Sequence, residues 1–215
     1  MQEAIPYSDI RRYWDTQSTA WSNPEKHRRL TTQNFAVFYQ QLRAKFILEE
    51  YIAKVVGSDG ELLDLASGAL PTAYLPKDAL PRLTAMDGSA KMLKHNPAAR
   101  KVQGDIRQQL PFKDGSFAGV TMFFGNRYVG DHLEFMKSIS RVLKAGGRFL
   151  FVDHSTIEHP MEAGVWYPQD LLQPVRELGF DMLNCTQLLP RLDGRENNIG
   201  DFYQGPRYLF SGVRV

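Results

Sequence analysis

Apolar positions along this chain fall into two regimes. Up to about residue 56 they recur at helical spacing, and from Glu61 onward they gather in short runs separated by amphipathic stretches. In the first regime Phe35, Phe38, Tyr39, Leu42, Phe46, Ile47, Tyr51, Ile52 and Val55 mark a helix over 35–56. Gly57 ends that helix, which should pack on the sheet that follows. Tyr13, Trp14 and Trp21 precede it, so the N-terminal segment reads as helical and aromatic-rich. In the second regime, strands are expected at 62–66, 82–86, 101–104, 118–124 and 148–152. Between them lie a helix beginning near Pro71, one over 89–94, a short crossover after Ile106, and one over 132–143 that Gly146 and Gly147 should stop. Such alternation is the mark of a parallel sheet wound with helices.

The C-terminal end departs from this rhythm. After a helix expected over 168–178, the apolar stretches 181–189 and 207–215 are joined by DGRENNIGDFYQGP, which is polar, glycine-containing and without a helical pattern. Parallel neighbours need a crossover element, so these last two strands should be antiparallel. The expected fold is therefore α/β: a doubly wound mixed sheet, mostly parallel, with a C-terminal antiparallel strand hairpin.

Composition narrows the class without naming it. The 215 residues suffice for one full-sized domain with an N-terminal extension, and 43% hydrophobic with 23% charged residues is a globular balance. Mean hydropathy is −0.36. No apolar run reaches the length of a membrane span, so no membrane association is expected. MQEAIPYSDIRRYWD has charges without a following apolar segment and resembles no secretory signal, which makes the cytoplasm the expected location. The single cysteine, Cys185, allows no internal disulfide and reads as a core residue. A net charge of +2, with basic residues in ones and twos, does not announce a nucleic-acid binder, and no DNA partner is expected. Oligomeric state leaves no signal.

Chemistry concentrates where strands end. ELLDLASGALP places a small-residue turn between a strand and a helix, at the sheet edge where wound folds bind ligands, and Asp64, Ser67, Gly68 and Ala69 would let a nucleotide approach the backbone. Asp87 ends the second strand, where an acid can accept both ribose hydroxyls. Asp105 follows the third and is placed to bond an exocyclic amine. His154 and His159 with Asp153 and Glu158 match no common ligand spacing, so no metal is expected; His27 and His95 stand in polar surroundings and should be solvated.

ELLDLASGALP, LTAMDGSAKML, GDIRQQLPFKDGSFAGVTMFF and ISRVLKAGGRFLFVD, in this order, resemble the signature blocks of the class I S-adenosylmethionine-dependent methyltransferases, within their methyltransferase type 11-like group of quinone-biosynthesis and small-molecule enzymes. The resemblance covers 61–153 and implies a Rossmann-like domain over 58–215, with 1–57 a helical lid or extension. It implies S-adenosylmethionine as cofactor, with Asp87 on the ribose and Asp105 and Ile106 flanking the adenine. Asp64, Ala66 and Gly68 would line the methionine and adenosine, and Phe124 the wall near the sulfonium. Ala66 and Leu70 stand where that family has the first and third glycines of its turn, and a leucine there could crowd the methionine carboxylate or be forced left-handed.

The expected reaction is methyl transfer from S-adenosylmethionine to a small-molecule acceptor by in-line displacement, which needs alignment and exclusion of water rather than a triad or metal. GNRYVGDH and DHSTIEHP should form the acceptor pocket with the N-terminal lid. There His154 is the candidate general base, since its ordinary pKa allows proton transfer near neutrality, and Tyr128 should orient the acceptor. The alternative is a non-catalytic cofactor-binding partner subunit, or an enzyme that uses the same cofactor for another reaction. A nicotinamide oxidoreductase fits less well, because Gly-x-Gly-x-x-Gly is missing. So does an amino-group DNA methyltransferase, because FFGN stands where Asn/Asp-Pro-Pro-aromatic would be.

Overall fold

The computed structural model describes residues 7–21, 35–71, 74–154, 168–189 and 207–215. Two helices come first, α1 (Tyr7–Trp21) and α2 (Phe35–Val56). They are followed by β1 (Leu62–Leu65), β2 (Leu83–Asp87), α3 (Ala90–His95), β3 (Arg100–Gln103), β4 (Phe117–Phe123), α4 (His132–Val142), β5 (Leu143–His154), α5 (Leu172–Glu177), β6 (Phe180–Leu189) and β7 (Arg207–Arg214). The strands form one sheet in the order β3-β2-β1-β4-β5-β7-β6. All neighbours from β3 to β5 run parallel, β7 is antiparallel to β5, and β6 is antiparallel to β7. The mixed sheet with its antiparallel C-terminal pair is thus the one expected.

Apolar cores on both faces explain why the central strands are continuous apolar runs rather than alternating ones. Along β5, Phe149 and Phe151 face one core and Leu150 and Val152 the other. Ile52, Val55 and Val56 of α2 join Leu62, Leu83 and Leu150 on the second face, so α2 packs on the sheet as its periodicity predicts. Phe135, Met136, Ile139 and Val142 of α4 pack on the first, each fully buried side chain contributing roughly 1.5–3 kcal/mol. Asp131 caps α4, its Oδ1 accepting from Leu133 N at 2.9 Å and Glu134 N at 3.0 Å. Arg82, just before β2, donates to the carbonyls of Ser58 (2.6 Å), Gly60 (3.0 Å) and Val56, tying the end of α2 to the sheet.

Several local expectations are corrected. No α-helix is described after Pro71; the connection to β2 is a turn followed by a 3-10 helix over Lys77–Arg82, with Pro81 inside it. Gly146 and Gly147 do not stop α4. That helix ends at Val142, Leu143 already pairs with Phe117, and residues 144–147 form a bulge in β5 before Arg148 pairs with Gly119. The helix expected over 168–178 is a 3-10 turn, Pro168–Leu171, running into the short α5. The 193–206 connector, Ser155 to Tyr167 and His27 lie outside the described residues, as do the side chains of Trp21, Phe35, Phe38, Tyr39 and Leu42. No described helix is long and apolar enough to cross a membrane.

Candidate functional site

The carboxyl ends of β1, β2 and β4, with the segments that follow them, form one edge where the strand order reverses, the usual crevice for ligands in wound sheets. Asp64 of β1 is 2% exposed, and Thr121 Oγ1 of β4 donates to its Oδ1 at 2.6 Å. Burial pushes its carboxyl up to about 6 against the opposing hydrogen bonds from Ser67 and Thr121, with the Asp87 charge adding to the rise. Above it the turn 66–68 is braced from three directions. Ser67 N donates to Met86 O at 3.1 Å, Gly68 N to Asp87 Oδ2 at 2.8 Å, and Asn96 Nδ2 to Ser67 Oγ at 2.9 Å and Gly68 O at 2.8 Å. Asp87 receives Ser89 N on its other oxygen, also at 2.8 Å, so its carboxylate is clamped between two backbone amides. Burial raises its pKa, while those two amides oppose the rise.

The turn carries its unusual backbone on Ala66 and Gly68, at φ 49° and 60°, and Leu70 is not left-handed. Around an ideal Cβ at Gly68 there is no other atom within 4 Å, so the turn is open to a ligand on that side. At the third strand end, Asp105 is engaged by its neighbour: Arg107 Nε lies 3.0 and 3.1 Å from its two oxygens and an Arg107 terminal nitrogen 2.9 Å from Oδ2. Ile106 turns inward and is buried in the core.

Across the edge, Phe124 follows β4 with φ 62° and tilts against Tyr74 at 5.8 Å, while Tyr74 stacks on Phe123 at 4.7 Å. Asn126 N donates to Asp153 Oδ2 at 2.9 Å, which links the segment after β4 to the buried end of β5. The Asn126 carbonyl lies 3.1 Å from His132 Nε2, and burial lowers the pKa of that imidazole. Tyr128, half-buried on the 3-10 turn Asn126–Tyr128, meets the Trp14 ring of α1 edge-on at 6.3 Å. A cavity of about 410 Å³ lies to one side, between the segment after β3 and α4, with a charged and amide lining that includes Gln108, Glu134, Lys137 and Arg141. None of the three strand-end acids lines it.

Residues 63–151 match the family described as Methyltransferase domain. The match spans the turn, all three acids and β4. Residues 63–151 thus carry a methyltransferase domain. In sequence the chain is 34% identical over 110 residues to the ubiquinone/menaquinone biosynthesis C-methyltransferase UbiE of Geotalea daltonii, covering 46% of this chain and 47% of the relative. The chain spans about half the length of the curated relatives it matches. Among solved structures, the [4+2]-cyclase SpnF is similar at TM-score 0.67 and 16% identity, over 98% of this chain and 97% of that one. The geranyl diphosphate C-methyltransferase of Streptomyces coelicolor A3(2) is similar at TM-score 0.65 and 16% identity, over 99% of each chain. These likenesses describe the fold.

Within the methyltransferase domain, Asp64, Ala66, Gly68 and Asp87 come together around one turn. Asp105 and Ile106 follow β3 beside it, and Phe124 and Tyr128 follow β4. Asp105 carries the Arg107 guanidinium on both its oxygens, and one expectation changes. The left-handed position falls on Ala66, not Leu70. The backbone of His154 closes β5 opposite Arg207, and its side chain lies outside what the structure describes. Asn96 went unread in the sequence, since an asparagine after a helix normally signals only a cap; here it is 1% exposed with both ends of its amide bonded. Tyr7 and Asp15 also went unread. Cys185 is half-buried against the core, and burial raises its thiol pKa. Among the described residues no group of three or more His, Cys, Asp and Glu side chains is placed to hold a metal ion.

Proposed function

We propose that this chain transfers the methyl group of S-adenosylmethionine to a small planar acceptor of the quinone type. The observation that carries the reading is the clamped carboxylate of Asp87. Its two oxygens are fixed by Gly68 N and Ser89 N, which leaves further lone pairs at the rim of the open turn to accept a ribose diol. Open space at Gly68 suits close approach of a nucleotide, so the residues present fit the cofactor. When bound, that cofactor supplies an electrophilic methyl on a good leaving group.

The chain's part is then placement. Asp87 anchors the ribose, Ala66 and Gly68 line the adenosine and methionine, and Asp64 supports the turn from below. Ile106 borders the base, Asp105 positions Arg107 at the mouth, and Phe124 walls the reacting centre. Trp14, Tyr128 and Phe124 offer aromatic surface for a flat acceptor, which agrees with the quinone named for the sequence relatives. Tyr128 orients the acceptor and His154 takes the proton it loses. Water exclusion and alignment supply the rate.

The test is calorimetric titration of the full chain with S-adenosylhomocysteine, followed by turnover on reduced, demethylated quinones. Saturable binding and methylated product are expected. Binding without product on any quinone would overturn the acceptor class, and absence of binding would overturn the cofactor. His154→Gln should lower turnover tenfold or more, with a deficit that shrinks at high pH; an unchanged profile removes the base.

A further inference from the structure

The acids at the strand ends can bond the edges of a nucleoside, but they offer no flat apolar surface to its face. α1 brings one. Ile10 and Ser18 of this helix are buried and Tyr7 and Trp14 half-buried, a spacing of i, i+3, i+7 and i+11 that lies along one helical face. The amino end of that face reaches Gly88, the residue after Asp87. A Cβ built on Gly88 would stand 2.6 Å from the Tyr7 phenol oxygen and 3.0 and 3.1 Å from two of its ring carbons. Any side chain at Gly88 would displace the ring, so the glycine makes the space that Tyr7 enters. The Arg107 guanidinium lies over the same ring, 5.1 Å from its centroid, and is itself held by Asp105 at 2.9 Å. Ser89 Oγ donates to Asp15 Oδ1 about two helical turns further along, a second tether of α1 to the residues flanking Asp87. Burial pushes the Tyr7 phenol up, and the neighbouring charges of Asp105 and Asp87 push it further, against Arg11 and Arg107.

We propose that α1 is the lid of the cofactor cleft and that Tyr7 is a nucleoside-contacting residue, its ring forming the face against which the adenosine half of the cofactor packs. This rests on the cofactor reading above. The ring supplies in sequence-distant form the surface that Gly88 lacks, and the Asp105–Arg107 pair holds it from outside.

The experiment titrates the full chain and its variants Tyr7→Ala, Tyr7→Phe and Gly88→Ala with two probes, S-adenosylhomocysteine and 5′-methylthioadenosine, which share the nucleoside and differ in the amino-acid half. Loss of base–aromatic packing should weaken Tyr7→Ala for both probes by about tenfold, with near-parental binding in Tyr7→Phe, because the ring and not the hydroxyl makes the contact. Gly88→Ala should weaken both probes likewise by pushing the ring away. Unchanged or tighter binding in Tyr7→Ala would overturn the proposal, showing the ring to be a bystander or an obstruction. A loss confined to S-adenosylhomocysteine would overturn it too, since the contact would then be with the amino acid. If the parent chain binds neither probe, the cofactor reading itself falls, an outcome separate from any difference between parent and variant. Circular dichroism of each variant establishes that the comparison is between folded proteins.

Discussion

Replacing Asp64 by Asn isolates the cost of a charge beneath the turn. Asp64 sits inside β1 at 2% exposure, with Thr121 Oγ1 at 2.6 Å, and burial moves its carboxyl from 3.8 up to about 6. An acid whose folded pKa is raised binds its proton more tightly folded than unfolded. Its contribution to stability is therefore most favourable below about pH 4 and is lost as pH rises toward 6. A rise from 3.8 to about 6 corresponds to about 3 kcal/mol, an order of magnitude for the whole window. Asparagine keeps the shape and can still accept from Thr121 through its carbonyl, but it does not ionise. The stability of Asp64→Asn relative to the parent should therefore improve by up to about 3 kcal/mol between pH 4 and 7, then stay level. Urea denaturation of both proteins at several pH values reads this directly, and taking their difference cancels the titrating groups that do not interact with Asp64. A relative stability flat across the window would refute the burial argument, and a change of opposite sign would mean that Asp64 is held ionised by a partner.

Three other variants test separate parts of the structure. Asp87→Ala should weaken S-adenosylhomocysteine binding more than tenfold, about 1.4 kcal/mol or more, because it removes the ribose acceptor and frees the Gly68 and Ser89 amides; calorimetry showing parental affinity would contradict it. Ala66→Gly should stabilise the fold by about 0.5–1 kcal/mol in thermal or urea unfolding, since the left-handed cost at φ 49° exceeds the added entropy of glycine, and a destabilised variant would count against that balance. Arg141→Ala should cost about 2 kcal/mol in urea unfolding, because Arg141 donates to the carbonyls of Leu110 and Phe112 at 2.6 Å; its contact with the exposed Asp114 adds little, so an equal loss in Asp114→Ala would overturn the assignment.

The sequence by itself determined what depends on neighbours along the chain. Periodicity set α2 at 35–56 with Gly57 beyond it, apolar runs set the seven strands to within a few residues, and a connector without helical pattern made the last two antiparallel. The three acids were legible because each lies at or beside a predicted strand end, and a strand end in a wound sheet is a position in space as well as in sequence. Tertiary structure alone decided contacts between segments far apart, where no spacing rule applies and the outcome is chosen by how whole elements pack. Thus β7 enters between β5 and β6, a bulge rather than a helix cap occupies Gly146 and Gly147, and the turn after Pro71 replaces a helix. The same holds within the site: Asn96 braces the turn across a helix, Arg107 claims Asp105, and Tyr7 returns to a glycine whose lack of a side chain gained meaning only when an aromatic ring was brought against it.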